Sequence, residues 1–283
     1  MPDDKKLDIE GFNGSILRTL DGYVGLIRRC RSLTSANPQC DSTIHFFRLS
    51  RTFDVVDTKD LVDNLDRERH ISWASGLEDP RILSNDSCLC VTLDTNNEWK
   101  PEISYVKFDS QAGLITKIQP LKIDGLERRI EKNWIVLDEE NGIILYSMKP
   151  FTLLKVDLES GSGHLLYTNP EVYYNAHNGA VVKLDDGSFL LTVRVKDDIH
   201  YKESLWIKIR ADYTIESVSP PYRFISNEFR NDYNDHVVYE MCMSLHIEDG
   251  LIIACVGMND THTSIYKIPL THILENLVNC VPT

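Results

Sequence analysis

The residues best equipped for chemistry fall in short polar clusters along the chain. The densest is Gly76-Leu77-Glu78-Asp79-Pro80-Arg81, which sets two carboxylates beside a guanidinium. A second, Arg129-Ile130-Glu131-Lys132-Asn133-Trp134, carries two cations and a carboxylate. Three more are Asn13-Gly14-Ser15, Asn175-Ala176-His177-Asn178-Gly179 and Glu240-Met241-Cys242-Met243-Ser244. Carboxylates in such clusters can move protons as general acids or bases. Arg and Lys can hold a phosphate or a developing oxyanion, Arg through its bidentate fork and Lys as a point charge.

These clusters lie far apart in sequence, so a fold must bring them together. The turns say which fold. Asp-Gly and Asn-Gly, the strongest short hairpin signals, occur at Asp21-Gly22, Asn141-Gly142, Asp186-Gly187 and Asp249-Gly250. A softer polar turn, Ser84-Asn85-Asp86-Ser87, fills the gap after the first. Each turn is followed by an apolar strand, such as Tyr23-Val24-Gly25-Leu26-Ile27 or Leu251-Ile252-Ile253-Ala254-Cys255. The turns recur roughly every 45 to 65 residues, the period of a four-stranded propeller blade. The expected fold is therefore all-β: a five-bladed β-propeller in a single catalytic domain, residues 1–283, with blades starting near 13, 76, 129, 175 and 240. Helical signals are confined to Leu61 to Arg67 and to a short C-terminal helix within Thr271 to Val278.

In a propeller the first strand of each blade lines the central channel, so the polar clusters would meet at one mouth. That makes Asn13, Glu78, Asp79, Arg81, Arg129, Glu131, Lys132, Asn133, His177, Asn178 and Glu240 candidate site residues, with Arg28, Arg194 and Asp260 near enough to inner strands to join them. The same charges can also be read as ion pairs tying blades together. Trp134, Tyr173 and Tyr174 can be read as stacking platforms for a sugar or base, or as packing between blades.

Composition limits the partners. Lys and Arg number 30 against 43 Asp and Glu, a formal net charge of −13 in 283 residues. Such a chain binds polyanions poorly, which argues against nucleic acid and an anionic membrane surface. No apolar run is long enough for a spanning helix. A phosphorylated small molecule would need its cations gathered locally. The seven cysteines are scattered and the N-terminus lacks the apolar core of a signal peptide. Both features predict reduced thiols and a cytoplasmic protein, in the host cytoplasm if the chain is viral.

Gly76-Leu77-Glu78-Asp79-Pro80-Arg81-Ile82 resembles the E-D-P-R signature of the family-130 glycoside phosphorylases and hydrolases, five-bladed propellers that act on β-mannosides. Glu131-Lys132-Asn133-Trp134 is similar to the blade-three motif of that superfamily. The Asn13-Gly14-Ser15 opening and Val256-Gly257-Met258-Asn259-Asp260 resemble a related branch of propeller glycosyltransferases from bacterial and large-virus glycan synthesis. The resemblance spans Asn13 to Ile268. It implies Asp79 as the catalytic carboxylate, Arg129 and Lys132 in an anion site, and Arg81 holding Asp79 or a substrate oxygen. In blade four the sequence departs from the family-130 pattern, and a second catalytic carboxylate is not obvious.

Three reactions fit these parts. Inverting hydrolysis needs an acid and a second carboxylate, for which Glu78, Glu131 and Glu240 are candidates. Phosphorolysis needs an acid and a cationic pocket. Transfer from a nucleotide sugar needs a base and cations for the diphosphate, and microscopic reversibility lets Asp79 serve either role. No D-x-D triplet occurs, so no metal cofactor is expected. The sequence reading favours an inverting glycosyltransferase, with a nucleotide sugar as co-substrate and a glycan acceptor. A β-mannoside phosphorylase or hydrolase is the alternative.

Overall fold

The computed structural model describes residues 3–31, 40–64, 74–93, 101–126, 132–172, 174–196, 201–224, 240–258 and 260–279. Apart from one short helix, the regular elements are strands, mostly antiparallel neighbours in sequence order.

The chain opens with β1 (Asp3–Lys6), β2 (Phe12–Thr19), β3 (Gly22–Arg31), β4 (Cys40–Leu49) and β5 (Val55–Asp60). Strands β2 to β5 form an antiparallel meander. After β6 (Val62–Asp63), a second meander comprises β7 (Ala74–Ser84), β8 (Ser87–Leu93), β9 (Pro101–Asp109) and β10 (Leu114–Pro120). A short parallel pairing of β4 with β7 fuses these two into one nine-stranded sheet, with β6 parallel to β10 at its edge. The next sheet holds β11 (Lys122–Asp124), β12 (Ile135–Asp138), β13 (Ile143–Met148), β14 (Phe151–Asp157) and β15 (Ser162–Asn169). It is followed by a meander of β16 (Ala176–Lys183), β17 (Phe189–Lys196), β18 (Tyr201–Ile209) and β19 (Ile215–Val218). The last meander is β20 (Glu240–Glu248), β21 (Leu251–Met258) and β22 (His262–Pro269). Strand β1 completes it, pairing antiparallel with β22. Helix α1 (Leu270–Glu275) and β23 (Val278–Asn279), which pairs with β19, end the described chain.

All five turn signals join the first and second strands of a meander, between β2 and β3, β7 and β8, β12 and β13, β16 and β17, and β20 and β21. At Gly22 (φ +152°) a Cβ would sit 2.1 Å from the Leu49 carbonyl oxygen, so the turn demands glycine. The helix expected near the C-terminus is present. The one expected at Leu61 to Arg67 is not: Leu61 donates its N–H to Ile44, and Val62 and Asp63 extend along β10. There, sheet pairing outweighs local propensity. Residues 65–70 lie outside the described residues.

The cores sit between successive meanders. Leu26, Ile44 and Phe46 pack against Leu77, Cys90 and Val106. Leu89 and Val91 meet Trp134, Ile144 and Leu154. Leu145 and Phe151 meet Leu191 and Ile207, and Leu190 and Trp206 meet Leu245 and Ile252. Finally Ile16, Tyr23 and Phe47 of the first meander pack on Ile253, Cys255 and Ile265 of the last. Each fully buried side chain of this size contributes about 1.5–3 kcal/mol, so every meander depends on its neighbours for stability.

Cys88, Cys90, Cys242 and Cys255 are free and buried. The sulfurs of Cys88 and Cys90 lie 3.4 Å apart on one face of β8, as strand alternation requires. Cys30 is disulfide-bonded, so the expectation of reduced thiols throughout fails at that residue. Scattered spacing does not reveal which cysteines a fold brings together. Among the described residues, no helix is long and apolar enough to cross a membrane.

Candidate active site

The polar clusters coincide with breaks in strand pairing. In β7 the register slips between Glu78 and Arg81, so Asp79 and Pro80 together oppose one residue of β8. In β2 it slips between Phe12 and Ser15, across Asn13 and Gly14. In β16 it slips between Asn178 and Val181, and in β20 between Cys242 and Ser244. Such bulges bend the strand and re-aim its side chains. A bulge also explains Pro80, which cannot donate to a ladder. Asp79 and Asn13 take left-handed backbone at φ +49° and +51°; Asn133 at +64° and Asp260 at +51° do likewise. Asn and Asp tolerate that region better than other non-glycine residues, yet it still costs on the order of 1 kcal/mol or more per residue.

The bulges bring four distant residues together around Asp79. The Asn13 amide nitrogen donates to Oδ1 of Asp79 at 2.9 Å and to Oδ1 of Asp260 at 3.1 Å. One nitrogen thus holds two carboxylates whose Oδ1 atoms lie within about 6 Å of each other. Gly257 makes this possible: a Cβ there would stand 2.1 Å from Oδ1 of Asn13 and 2.9 Å from its Cα. Arg28 enters from β3, donating to Oδ1 of Asp79 at 3.2 Å and to Oε1 of Glu78 at 2.7 Å. Its guanidinium lies over the Phe12 ring at 5.0 Å, and its Nε donates to the Ser42 hydroxyl. Lys132 reaches Oε2 of Glu78 at 3.5 Å. The Asp79 side chain keeps 12% of its surface exposed, and its Oδ2 has no partner among the described residues.

Other expected site residues turn elsewhere. Arg81 does not hold Asp79. It is buried and donates through Nη1 to the carbonyl oxygens of Gly179 and Met243, linking β7 to β16 and β20. Burial pushes its guanidinium down to about 10, opposed by the charge of Asp79 and reinforced by that of Arg194. Its Nη2 has no hydrogen-bond partner among the described residues. The reason is position: Arg81 follows the bulge and points into the interior, whereas Arg28, on β3 of the first meander, faces the carboxylate. Asn178 is buried and its amide donates to the carbonyls of Leu145 and Tyr146, tying β16 to β13. Glu240 is buried and accepts the Phe224 N–H at 3.0 Å, while Arg194 donates to the Glu240 carbonyl.

His177 is half-buried opposite Arg194 in the β16–β17 ladder, and Asn133 is half-buried beside Lys132. Trp134 is 2% exposed and packs edge-on against Tyr146, so it is a packing residue and not a platform. Tyr174 packs on the core between the third and fourth meanders. Arg129, Glu131 and Tyr173 lie outside the described residues. Among the described residues, no group of three His, Cys, Asp or Glu side chains converges as a metal site would require.

Sequence reasoning ranked Arg28 below the residues of the clusters, and it overlooked the clamp made by Asn13. The available signals were an arginine closing the apolar second strand and a glycine, Gly257, facing an asparagine.

No family model matches the chain, and no curated protein matches it in sequence. Solved structures do resemble it. A glycosyl hydrolase from Bacteroides ovatus superposes with a TM-score of 0.68 at 12% identity, over 93% of this chain and 84% of that one. The β-1,2-mannobiose phosphorylase from Listeria innocua gives 0.65 at 12% identity, over 96% and 92%. A member of the GH130 mannoside phosphorylase family, which contains hydrolases targeting β-1,2-mannosidic linkages in Candida mannan, gives 0.64 at 12% identity, over 93% and 85%. The resemblance to the family-130 propeller superfamily thus holds for the fold. These structures are hydrolases and phosphorylases, and they overturn the expectation of a nucleotide-sugar glycosyltransferase. The site agrees with that correction: Arg81 points inward and the described mouth cations, Arg28 and Lys132, already engage Glu78, so no cation cluster awaits a diphosphate among the described residues.

Proposed function

We propose that the chain is a five-bladed propeller enzyme that cleaves β-mannosides or related β-glycosides, with Asp79 as the proton donor to the departing oxygen. The observation that carries this reading is the Asp79 carboxylate itself. It is held on a strained bulge by Asn13 and Arg28 through Oδ1 alone, with Oδ2 left for substrate. The blade count is supported by the five successive cores, the last of which packs the final meander against the first.

In this reading Asp79 donates its proton through the unengaged Oδ2. As the glycosidic C–O bond breaks, that proton passes to the leaving oxygen and negative charge builds on Asp79. Asn13 and Arg28 are already aimed at that charge, so they stabilise it without reorganising. Asp260 supplies a second carboxylate for hydrolysis, and its Oδ1, within about 6 Å of that of Asp79, stands closer than the roughly 6.5–9.5 Å of an inverting pair. Phosphorolysis would need cations that Arg28 and Lys132 do not leave free. Asn133, His177 and Arg194 are proposed to line the sugar subsite.

The test is incubation with β-1,2-mannobiose and other β-mannosides, with and without inorganic phosphate. Free mannose independent of phosphate is the expected product. A sugar 1-phosphate formed only with phosphate would make the enzyme a phosphorylase. Cleavage undiminished in Asp79→Asn would overturn the assignment of the acid.

A further inference from the structure

We propose that a groove at the far ends of the first two meanders, on the face opposite Asp79, is a second binding site for an oligosaccharide carrying a phosphate or sulfate ester. The strands fix its position. Asn13 stands near the start of β2 and Asp79 midway along β7, whereas the groove is walled by the turns that end those strands, at Leu20 and at Ser84-Asn85. The turn after β9, at Ser110-Gln111, closes its other side. Its volume is about 1310 Å³. Its floor is the end of the apolar core between the two meanders, formed by half-buried Leu17 over buried Val24 and Phe46.

Charge sets the groove apart. Arg48, Arg51 and Lys59 line it, and among the described residues none forms an ion pair with a carboxylate. Arg18 also lines the groove and is paired with Glu248, as Lys5, Arg28, Arg29, Lys107 and Lys208 are paired with carboxylates elsewhere. Arg51 donates to the Leu20 carbonyl at 2.7 Å and Lys59 to the Gln111 carbonyl, so both heads are anchored on the walls by neutral oxygens. Their positive charge is positioned without a contact ion pair, with Asp57 opposite Arg48 in the ladder and Glu248 feeling the charge of Arg51. Asp21 and Asp57 also line the groove and bridge to none of the three. In a chain of net charge −13, such a patch attracts a local anion while the surrounding charge repels long polyanions.

The surroundings select the anion's chemistry. A guanidinium fork suits a phosphate or sulfate ester. The apolar floor suits the C–H face of a sugar ring, and the hydroxyl and amide groups of Ser84, Asn85, Ser110 and Gln111 suit its hydroxyls. The volume exceeds the roughly 300–1,000 Å³ of an ordinary small-ligand pocket, which points to several sugar units. The choice of a sugar rests on the carbohydrate reading above; the anion site stands on the groove alone.

Isothermal titration with mannotriose 6-phosphate, mannotriose 6-sulfate, plain mannotriose and inorganic phosphate tests the proposal. The esters should bind wild-type protein and Asp79→Asn with equal Kd, and weaken as salt rises. The triple variant Arg48→Ser/Arg51→Ser/Lys59→Ser should lose at least tenfold in affinity. If that variant fails to fold, Arg48→Ser alone should lose about threefold. Comparing phosphate with sulfate ester identifies the preferred anion. No ester binding to wild type, equal binding to the triple variant, or loss of binding in Asp79→Asn would overturn the site. Equal affinity for inorganic phosphate would reduce it to a simple anion site, ending the glycan assignment. Failure of cleavage at Asp79 with retained ester binding would sink the enzymatic reading and leave the groove standing.

Discussion

The two ends of strands β2 and β7 carry charge in opposite ways. At the mouth, Asp79, Glu78, Arg28 and Asn13 answer one another across two meanders, on backbone forced into left-handed conformations. At the far end, Arg51 and Lys59 rest on carbonyl oxygens. Strain and mutual pairing mark an end built to hold reacting groups still. Cations held by neutral oxygens, without contact ion pairs, mark an end suited to capturing a ligand without changing it. The contrast separates the end proposed to do chemistry from the end proposed to bind.

The largest effect expected is at the mouth. Asp79→Asn keeps the size of the side chain but removes the proton, so cleavage should fall about 10²–10⁴-fold, as loss of a general acid does. Steady-state rates on the mannoside that wild type cleaves best would check it, with thermal unfolding confirming that the fold is kept. Next in size is Gly257→Ala. The new methyl would strike Asn13, release Asp79 and Asp260 together, and lower kcat roughly tenfold or more while KM moves less. An unchanged kcat would show that the clamp does not position Asp79. The third change sharpens the contrast between two arginines. Arg81→Lys should cost about 2–4 kcal/mol of stability, because a single ammonium cannot replace a guanidinium set between the Gly179 and Met243 carbonyls. Arg28→Lys, near the surface of the mouth, should lower turnover more than it lowers the unfolding temperature.

The fold was legible because its signals are local. Asp21-Gly22 or Asp249-Gly250 dictates a hairpin whatever surrounds it, and apolar alternation dictates the strands on either side. Asp79 was legible for a different reason: Glu78-Asp79-Pro80-Arg81 resembles a known signature. What could not be read was direction. Arg81 lies two residues from Asp79 in sequence, yet the bulge turns it inward to carbonyls of two other meanders, while Arg28 arrives from β3 of the neighbouring meander. Asp260 and Asn13 are at opposite ends of the chain, and only the packing of the last meander on the first brings them to one nitrogen. The anion site expected at the mouth rested on Arg81, Arg129 and Lys132, of which Arg81 turns inward and Arg129 lies outside the described residues. Counting cations cannot show that Arg28 and Lys132 are already engaged by Glu78.

The smallest expected effect tests the far end, where β20 meets β2. His246 is buried there and its Nε2 donates to the Ile16 carbonyl at 2.6 Å. Burial pushes its imidazole below the usual histidine value, with the nearby Arg18 adding to the shift. The Ile16 carbonyl and Glu248 oppose it. The unfolded chain therefore binds a proton at a pH where the folded chain does not. The stabilisation from a neutral His246 is fully present above about pH 6.5 and is lost as pH falls through the ordinary range toward the depressed folded value. Between pH 7.5 and 5 this site should lower the unfolding temperature by roughly a few degrees. His246→Gln retains a donor for Ile16 but cannot titrate, so its unfolding temperature should fall less over that range. Parallel melting curves of the two proteins would mean that the imidazole is not held neutral. The far end would then share the mouth's tolerance of buried charge, and the contrast between the two ends would rest on the groove cations alone.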